Sequence, residues 1–208
     1  TGVEMAYRDA RITKIYEGTN EINRMLVLAE FYKRAFVTKE IKLGAAKGFV
    51  PSAIAANYNP FTGGFLTAEF EFVNNLKALF LIITGAAGAK LKDKLVDEQE
   101  IVMNLADILS MAYITESAFL RVKKLSGKKD VSKEELDVKT KMAQVYLYDA
   151  LDVARKAANT AIDSYAKGAE KFVLKRLVKR MLRTYHINPK NTRREVADFF
   201  LKKGSYQF

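Results

Sequence analysis

Apolar residues recur three and four positions apart through most of the chain, which is the spacing of an amphipathic helix. In NEINRMLVLAEFYKRAF this spacing predicts a helix over 20–36, with Thr19 as its N-cap after the helix breaker Gly18. The same kind of pattern predicts helices over about 66–92, 101–125, 133–167 and 170–183, and a short last helix that ends at 203. The sequence therefore predicts an all-α fold, a helical bundle joined by short loops.

Capping-box motifs predict where three of these helices begin, because each motif can satisfy free N–H groups of a first helical turn. The motifs are Asp97/Glu100, Ser132/Glu135 and Thr192/Glu195. The first eighteen residues show no steady apolar stripe. Their first half is compatible with a helix, whereas RITKIYEG alternates as an extended loop does.

Residues 43–64, LGAAKGFVPSAIAANYNPFTGG, form the stretch least suited to regular structure, with two prolines and four glycines. They predict a linker between a segment 1–42 and a helical bundle over 65–208. The linker also contains Phe49, Ile54 and Phe61, which are too apolar for a flexible tether. Docking along another part of the protein and membrane contact are both compatible with them.

The chain has 208 residues with a formal net charge of +11, no cysteine and one histidine. Disulfides, thiolate metal sites and a cysteine nucleophile are thereby excluded. Residues 168–208 contain 11 Lys or Arg against 3 Asp or Glu, so most of the net positive charge of the chain lies there. A solvated helix face, or an anionic partner such as nucleic acid, lipid or a phosphate-bearing substrate, would account for it. The uncharged apolar run 78–89, between Lys77 and Lys90, is too short to span a bilayer.

Most catalytic constellations are absent from the sequence. His186 has no second histidine with which to complete a metal site, and no glycine-rich phosphate-binding loop occurs. The remaining candidate is IYEGTNEI, residues 15–22. Glu17 lies beside apolar neighbours whose burial would make it a stronger base, Gly18 lets a ligand approach the backbone, and Thr19 opens a helix whose N-terminus favours anions. From the chemistry of these residues alone, a surface carboxylate before an ordinary helix start is the favoured alternative.

The stretch GVEMAYRDARITKIYEGTNEINRM closely resembles the C-terminal signature of the acyl-CoA dehydrogenases, Y-R-D-A-(K/R)-I-x-x-I-Y-E-G-T-N-E-I-Q-R. The resemblance covers residues 2–36 and includes Arg24; it departs at Asn23, where Gln is usual. Since the chain begins with Thr and about 170 residues follow the signature, we expect a piece of a longer enzyme. The length and layout resemble the very-long-chain branch, which has an additional C-terminal helical domain.

The resemblance implies a role for each residue of the motif. Glu17 would be the base that removes the α-proton of a fatty acyl-CoA, while the β-hydrogen passes to FAD as hydride and a trans-2-enoyl-CoA forms. The backbone amide of Glu17 and a flavin hydroxyl would polarise the thioester carbonyl. Gly18 and Tyr16 would contact the substrate, and Thr19, Asn20 and Glu21 would lie beside FAD. Because the flavin domains would precede this chain, we expect it to be inactive and colourless alone.

The resemblance also implies partners: an electron-transferring flavoprotein as acceptor, a homodimer, and peripheral membrane contact. The basic helix 170–183 could supply that contact, although the sequence favours the alternative that its apolar face completes the core of the bundle. An alternative function is a basic module for nucleic acid or protein binding, fused to a non-functional dehydrogenase remnant. Aromatic and basic residues do not interleave as in single-strand binders, so we expect no nucleic acid. The expected compartment is the bacterial cytoplasm or the mitochondrial matrix and inner membrane surface.

Overall fold

The computed structural model of the chain describes residues 2–42, 48, 50–52 and 64–204, and the regular elements among them are helical. The α-helices with both ends among these residues are α1 Val3–Ile12, α2 Asn20–Tyr32, α3 Thr67–Leu91, α4 Gln99–Ser126, α5 Lys133–Tyr165, α6 Gly168–Met181 and α7 Pro189–Lys203. A π-helical turn, Lys33–Val37, continues α2, and a 3-10 helix, Lys92–Val96, follows α3. The predicted all-α class is confirmed.

The core of the bundle is built around α3, which packs against α4, α5 and α6. Helices α4 and α5 pack along each other, and because only residues 127–132 connect them they must run antiparallel. The core side chains that are essentially inaccessible to solvent come from all three long helices. Among them are Leu76, Leu79 and Ile83 of α3, Leu105, Ile108 and Phe119 of α4, and Leu147, Leu151 and Ile162 of α5.

The segment Thr67–Val96, which comprises α3 and the 3-10 helix, is long and apolar enough to pass a test for a membrane span. The sequence predicts no spanning helix, since the uncharged run 78–89 alone is too short. The packing of the longer segment explains its apolar composition. A little over half of its most apolar window (56%) is buried inside the bundle. A central helix of a multi-helix core needs apolar side chains on most of its surface, so its composition reflects burial by neighbouring helices.

Two of the predicted helix caps are confirmed. Thr19 Oγ1 accepts a hydrogen bond from the Ile22 backbone N–H at 3.2 Å at the start of α2. Ser132 Oγ accepts one from the Glu135 N–H at 3.1 Å, and α5 begins at the next residue. In both places a hydroxyl satisfies a free N–H of the first turn.

The other two predicted capping boxes are wrong. Helix α4 begins at Gln99 after Glu98, which makes no side-chain cap bond, because Asp97 still belongs to the turn that ends the 3-10 helix. Helix α7 begins earlier than the Thr192 motif indicates. Asn188 Oδ1 accepts from the Asn191 N–H at 3.1 Å, and Pro189 occupies the first helical position, which its fixed φ favours.

The basic helix α6 divides its apolar residues between the core and the surface. Leu174, Val178 and Met181 are buried in the bundle, which supports the core-packing alternative. Phe172 and Val173 at its start are 66% and 53% exposed, so they take no part in that core. The predicted single apolar face over 170–183 is therefore correct only in its second half.

The N-terminal segment is joined to the bundle through α2, which packs against α4. Leu28 of α2 is 2% exposed and belongs to the same apolar cluster as the core of α3 and α4. The predicted linker over 43–64 lies largely outside the described residues. The division at 42 and 65 therefore stays a prediction.

Candidate functional site

The stretch 13–19 is a tight turn that joins α1 to α2. The Ile15 N–H donates to the Ile12 carbonyl at 2.9 Å, and the Asn20 N–H donates back to the Lys14 carbonyl at 3.1 Å. The second of these bonds closes the turn across six residues. The prediction of an extended stretch before Gly18 is wrong, because short-range hydrogen bonds of this kind continue the curvature of α1.

Glu17 and Gly18 both have positive φ angles, 57° and 92° respectively. The left-handed region is unfavourable by about 1–2 kcal/mol for a residue with a Cβ, so Glu17 occupies a conformation that most side chains avoid. Two successive residues of this kind reverse the chain sharply enough for α2 to begin at Asn20. Local strain of this type is concentrated at functional sites, which singles out Glu17 on geometry alone.

Asn23, one turn into α2, holds this reversal in place. Its Nδ2 donates to the Gly18 carbonyl at 2.8 Å. A Cβ added at Gly18 would lie 2.9 Å from Asn23 Oδ1, closer than real Cβ atoms approach. Glycine is therefore required here by both φ and space. Sequence reasoning noted Asn23 only as a departure from the usual Gln and missed this clamp.

The structure places the predicted site residues together on one exposed surface. Tyr16 is 52% exposed, Glu17 is exposed, and Gly18 is half-buried. Thr19 caps α2, while Asn20 and Glu21 lie exposed in its first turn. The described part of the chain thus presents Glu17 to solvent and does not supply the burial that would strengthen it as a base.

An ion pair and an aromatic contact help to fix the helix that bears the turn to the bundle. Arg24 Nε lies 2.6 Å from Asp107 Oδ1 of α4. Further along α2, the ring of Phe31 meets the ring of Phe80 edge to face at 4.9 Å. Neither contact is predictable from the spacing of Arg24 or Phe31 in the sequence, because both partners lie more than 45 residues away.

An apolar groove of about 1140 Å³ runs between α2, the second half of α3 and the 3-10 helix. Its wall on α2 includes Ile22, Met25 and Leu26, so it begins beside the turn. Ile22 and Leu26 are 53% and 61% exposed, which is high for apolar residues on one helix face. Sequence reasoning placed these residues on the core side of α2 and did not predict the groove.

A buried carboxylate in the bundle is a second feature that sequence reasoning missed. Glu69 of α3 is 7% exposed and accepts hydrogen bonds from Tyr185 Oη at 2.6 Å and Gln144 Nε2 at 2.7 Å. Since Glu69 and its two partners belong to three separate segments, this carboxylate ties the α6–α7 connection to the core. The sequence signal, an acid inside the apolar run TAEFEF, was available.

No cluster suited to a metal ion occurs among the described residues, and His186 lies exposed between α6 and α7. The chemistry that the described chain offers is therefore that of the turn. It consists of a carboxylate on a strained, glycine-flanked reversal at the N-terminus of a helix.

Comparison with known proteins places both the turn and the bundle in one family. Residues 75–180 match a family model described as "Acyl-CoA dehydrogenase, C-terminal domain", and residues 1–31 match a second model with the same description. A probable acyl-CoA dehydrogenase from Bacillus subtilis (strain 168) is 30% identical over 207 residues, which cover 98% of this chain and 34% of that protein. The crystal structure of acyl-CoA dehydrogenase complexed with FAD from Bacillus anthracis superimposes with a TM-score of 0.89 at 29% identity. That superposition covers 100% of this chain and 35% of the other, so the chain spans about a third of the length of these relatives.

Proposed function

Since this chain belongs to the acyl-CoA dehydrogenase family, we propose that it supplies the catalytic base of an FAD-dependent enzyme that converts fatty acyl-CoA to trans-2-enoyl-CoA. The observation that carries this proposal is the left-handed Glu17–Gly18 reversal inside the family signature. The match of the bundle itself to the family supports an integral part of the enzyme over an unrelated module. The very-long-chain branch is part of the proposal, on the length and layout of the chain.

Glu17 has the position and freedom that proton abstraction requires. Its carboxylate is exposed on the turn, and it removes the pro-R α-proton from the acyl-CoA thioester. FAD, when bound, accepts the β-hydrogen as hydride. In the whole enzyme the substrate and the preceding domains cover Glu17, which excludes water and strengthens the base.

The backbone of the turn is suited to polarise the thioester carbonyl. Around the turn, Lys14, Ile15, Tyr16 and Asn20 donate their backbone N–H groups to described acceptors, whereas the N–H of Glu17 does not. A free N–H beside the base can donate to the carbonyl oxygen as enolate character develops. Gly18, which has no Cβ, lets the thioester come against the backbone there.

The start of α2 fits the polar part of a flavin cofactor. Asn20 and Glu21 are exposed, and the first turn of a helix has a partial positive charge that favours phosphate. We assign Thr19, Asn20 and Glu21 to the contact with FAD and Tyr16 to the border of the acyl pocket. Residues from the preceding domains complete both sites, so the 208-residue chain alone is inactive and colourless.

Replacement of Glu17 by Gln in the whole protein tests the proposal. Gln has the same shape but cannot accept the proton, so dehydrogenation of acyl-CoA falls by several orders of magnitude while the flavin absorbance is retained. Glu134→Gln is the matched control, because Glu134 is an exposed carboxylate in the first turn of α5, away from the site. Wild-type turnover by the Glu17→Gln variant, or a whole protein that purifies without flavin, would contradict the proposal.

Two partners complete the proposed function: an electron-transferring flavoprotein that reoxidises the flavin, and a second copy in a homodimer. Peripheral membrane contact is favoured by one specific observation, the exposure of Phe172 and Val173 next to the exposed cations Arg176 and Lys179 on α6. Sedimentation with anionic vesicles tests this contact. Phe172→Ser should weaken binding at low salt, and absence of binding by the unaltered protein would remove the membrane role.

A further inference from the structure

The ion pair between Arg24 and Asp107 connects the helix that bears the catalytic turn to the C-terminal bundle. We propose that Asp107 is a positioning residue for Glu17, through which the bundle sets the location of the base relative to the substrate. The inference rests on the proposed function for the role of Glu17. It gives the bundle a part in catalysis that is separate from dimer or membrane contacts.

Two neighbouring residues of α2 link the position of Glu17 to that of α4. Asn23 reaches backwards and its Nδ2 holds the Gly18 carbonyl at 2.8 Å. Arg24, the next residue, reaches sideways and its Nε meets Asp107 Oδ1 at 2.6 Å. A shift of the first turns of α2 against α4 therefore moves the Glu17 reversal with it.

The first half of α2 has few other attachments within the described structure. Ile22 and Leu26 are more than half exposed, and Leu28 is the first fully buried residue, eleven positions after Glu17. Met25 is only partly buried against the core. The charge-assisted bond to Asp107 is thus the directional contact nearest to the turn, and such bonds fix geometry more tightly than apolar contact does.

The solvent exposure of the Arg24–Asp107 pair argues against a purely stabilising role. The side chains of Arg24 and Asp107 are 40% and 30% exposed, and solvent-screened ion pairs of this kind contribute little to folding free energy. Small displacements at a reacting centre have larger effects, since a misplacement of about 1 Å can lower a rate by about 10²-fold. A partial loss of positioning should therefore appear in catalysis before it appears in stability.

Asp107→Asn in the whole flavoprotein should lower kcat by about tenfold with little change in KM. The kinetic isotope effect on the α-deuterated substrate should rise, because proton abstraction by Glu17 becomes more rate-limiting. Flavin content and melting temperature should stay at wild-type values. Asp107→Glu, which keeps the carboxylate, should restore most of the rate.

Glu116→Gln is the matched control. Glu116 also lies on α4 and forms an ion pair with Lys77 of α3, and its side chain is 32% exposed, close to the 30% of Asp107. That pair joins α4 to α3 and leaves α2 untouched. The control should therefore leave kcat and the isotope effect unchanged, which separates positioning from the general loss of one carboxylate on α4.

A second readout requires no activity. In the 208-residue chain, hydrogen exchange of the Asn20 amide, which closes the turn on the Lys14 carbonyl at 3.1 Å, should accelerate in Asp107→Asn and not in Glu116→Gln. If Asp107→Asn loses its flavin, Arg24→Lys, which keeps the charge but not the Nε donor, is measured in the same way.

The two proposals fail in different ways. Retained turnover in Glu17→Gln refutes the role of the base, whereas the exchange experiment still reports whether Asp107 orders the turn. The positioning role is overturned if Asp107→Asn matches Glu116→Gln in kcat, isotope effect and Asn20 exchange.

Discussion

Gly18→Ala should disable the whole enzyme without unfolding the bundle. Gly18 has a φ of 92°, and a Cβ there would come within 2.9 Å of Asn23 Oδ1. Alanine must therefore either strain the left-handed backbone or displace the Asn23 amide from the Gly18 carbonyl. Both responses move the adjacent Glu17 from its position in the reversal.

The size of the effect follows from these two contacts. The left-handed conformation is unfavourable by about 1–2 kcal/mol for a residue with a Cβ. Loss of the 2.8 Å bond from Asn23 adds about 1 kcal/mol. Because residues 2–19 include no buried side chain, little else holds the turn closed. A change of about 2–3 kcal/mol corresponds to a fall in kcat of about 30- to 150-fold.

The assay compares two properties in two variants. Turnover of acyl-CoA is measured in the whole enzyme, and urea unfolding is measured in the same preparations. Gly127→Ala is the control, because the φ of Gly127 is −90° and an added Cβ would lie 3.7 Å from the Lys124 carbonyl, an ordinary contact. The control should keep full activity and be at most about 1 kcal/mol more stable.

The reasoning is refuted if Gly18→Ala retains kcat within about threefold of wild type. A parallel loss of stability and activity would also contradict it, since the turn would then be part of the cooperative core.

Two further predictions concern the bundle. Tyr185→Phe removes the hydroxyl that donates to buried Glu69 at 2.6 Å but keeps the ring against Phe72. The free energy of unfolding measured by urea denaturation should therefore fall by about 2 kcal/mol. A change below about 0.5 kcal/mol would show that this bond adds no net stability. Hydrogen bonds from Lys171 and Lys175 lower the pKa of Asp163 below its ordinary 3.8. The ionised Asp163 therefore stabilises the folded chain at pH values above 3.8, and this stabilisation is lost as the pH falls through the lowered pKa of the folded state. Asp163→Asn should therefore flatten the acid side of the stability–pH curve measured from about pH 5 to about pH 2, and an unchanged curve would contradict the role of this carboxylate.

The helices could be predicted from the sequence because their buried residues repeat with the helical period. Their exact ends could be predicted only where one capping residue had no competitor, as at Ser132. The Thr192 motif has the same spacing, but Asn188 followed by Pro189 begins α7 earlier and leaves Thr192 inside the helix. There the Thr192 hydroxyl donates to the Asn188 carbonyl at 2.9 Å. Spacing alone does not rank two adjacent start signals.

The candidate site was predictable as a list of residues but not as a geometry. The signature identifies Glu17 and its neighbours, yet the positive φ of Glu17 depends on how Asn23 folds back on Gly18. Asp107 carries no sequence signal at all, because its role arises from a contact with Arg24 across 83 positions. Contacts of this kind are set by helix packing, which the period of the apolar residues does not specify.

The central position of α3 also affects how the chain can be synthesised. Eleven of its 25 residues are buried, and the helices that cover it extend to Tyr165 and beyond. At a translation rate of about 5–20 residues per second, α3 stays uncovered for on the order of ten seconds after it leaves the ribosome. Chains truncated before α5 would expose that apolar surface permanently and should accumulate as aggregates. The order of the helices thus leaves the apolar surface of α3 uncovered while the helices that pack on it are still being synthesised.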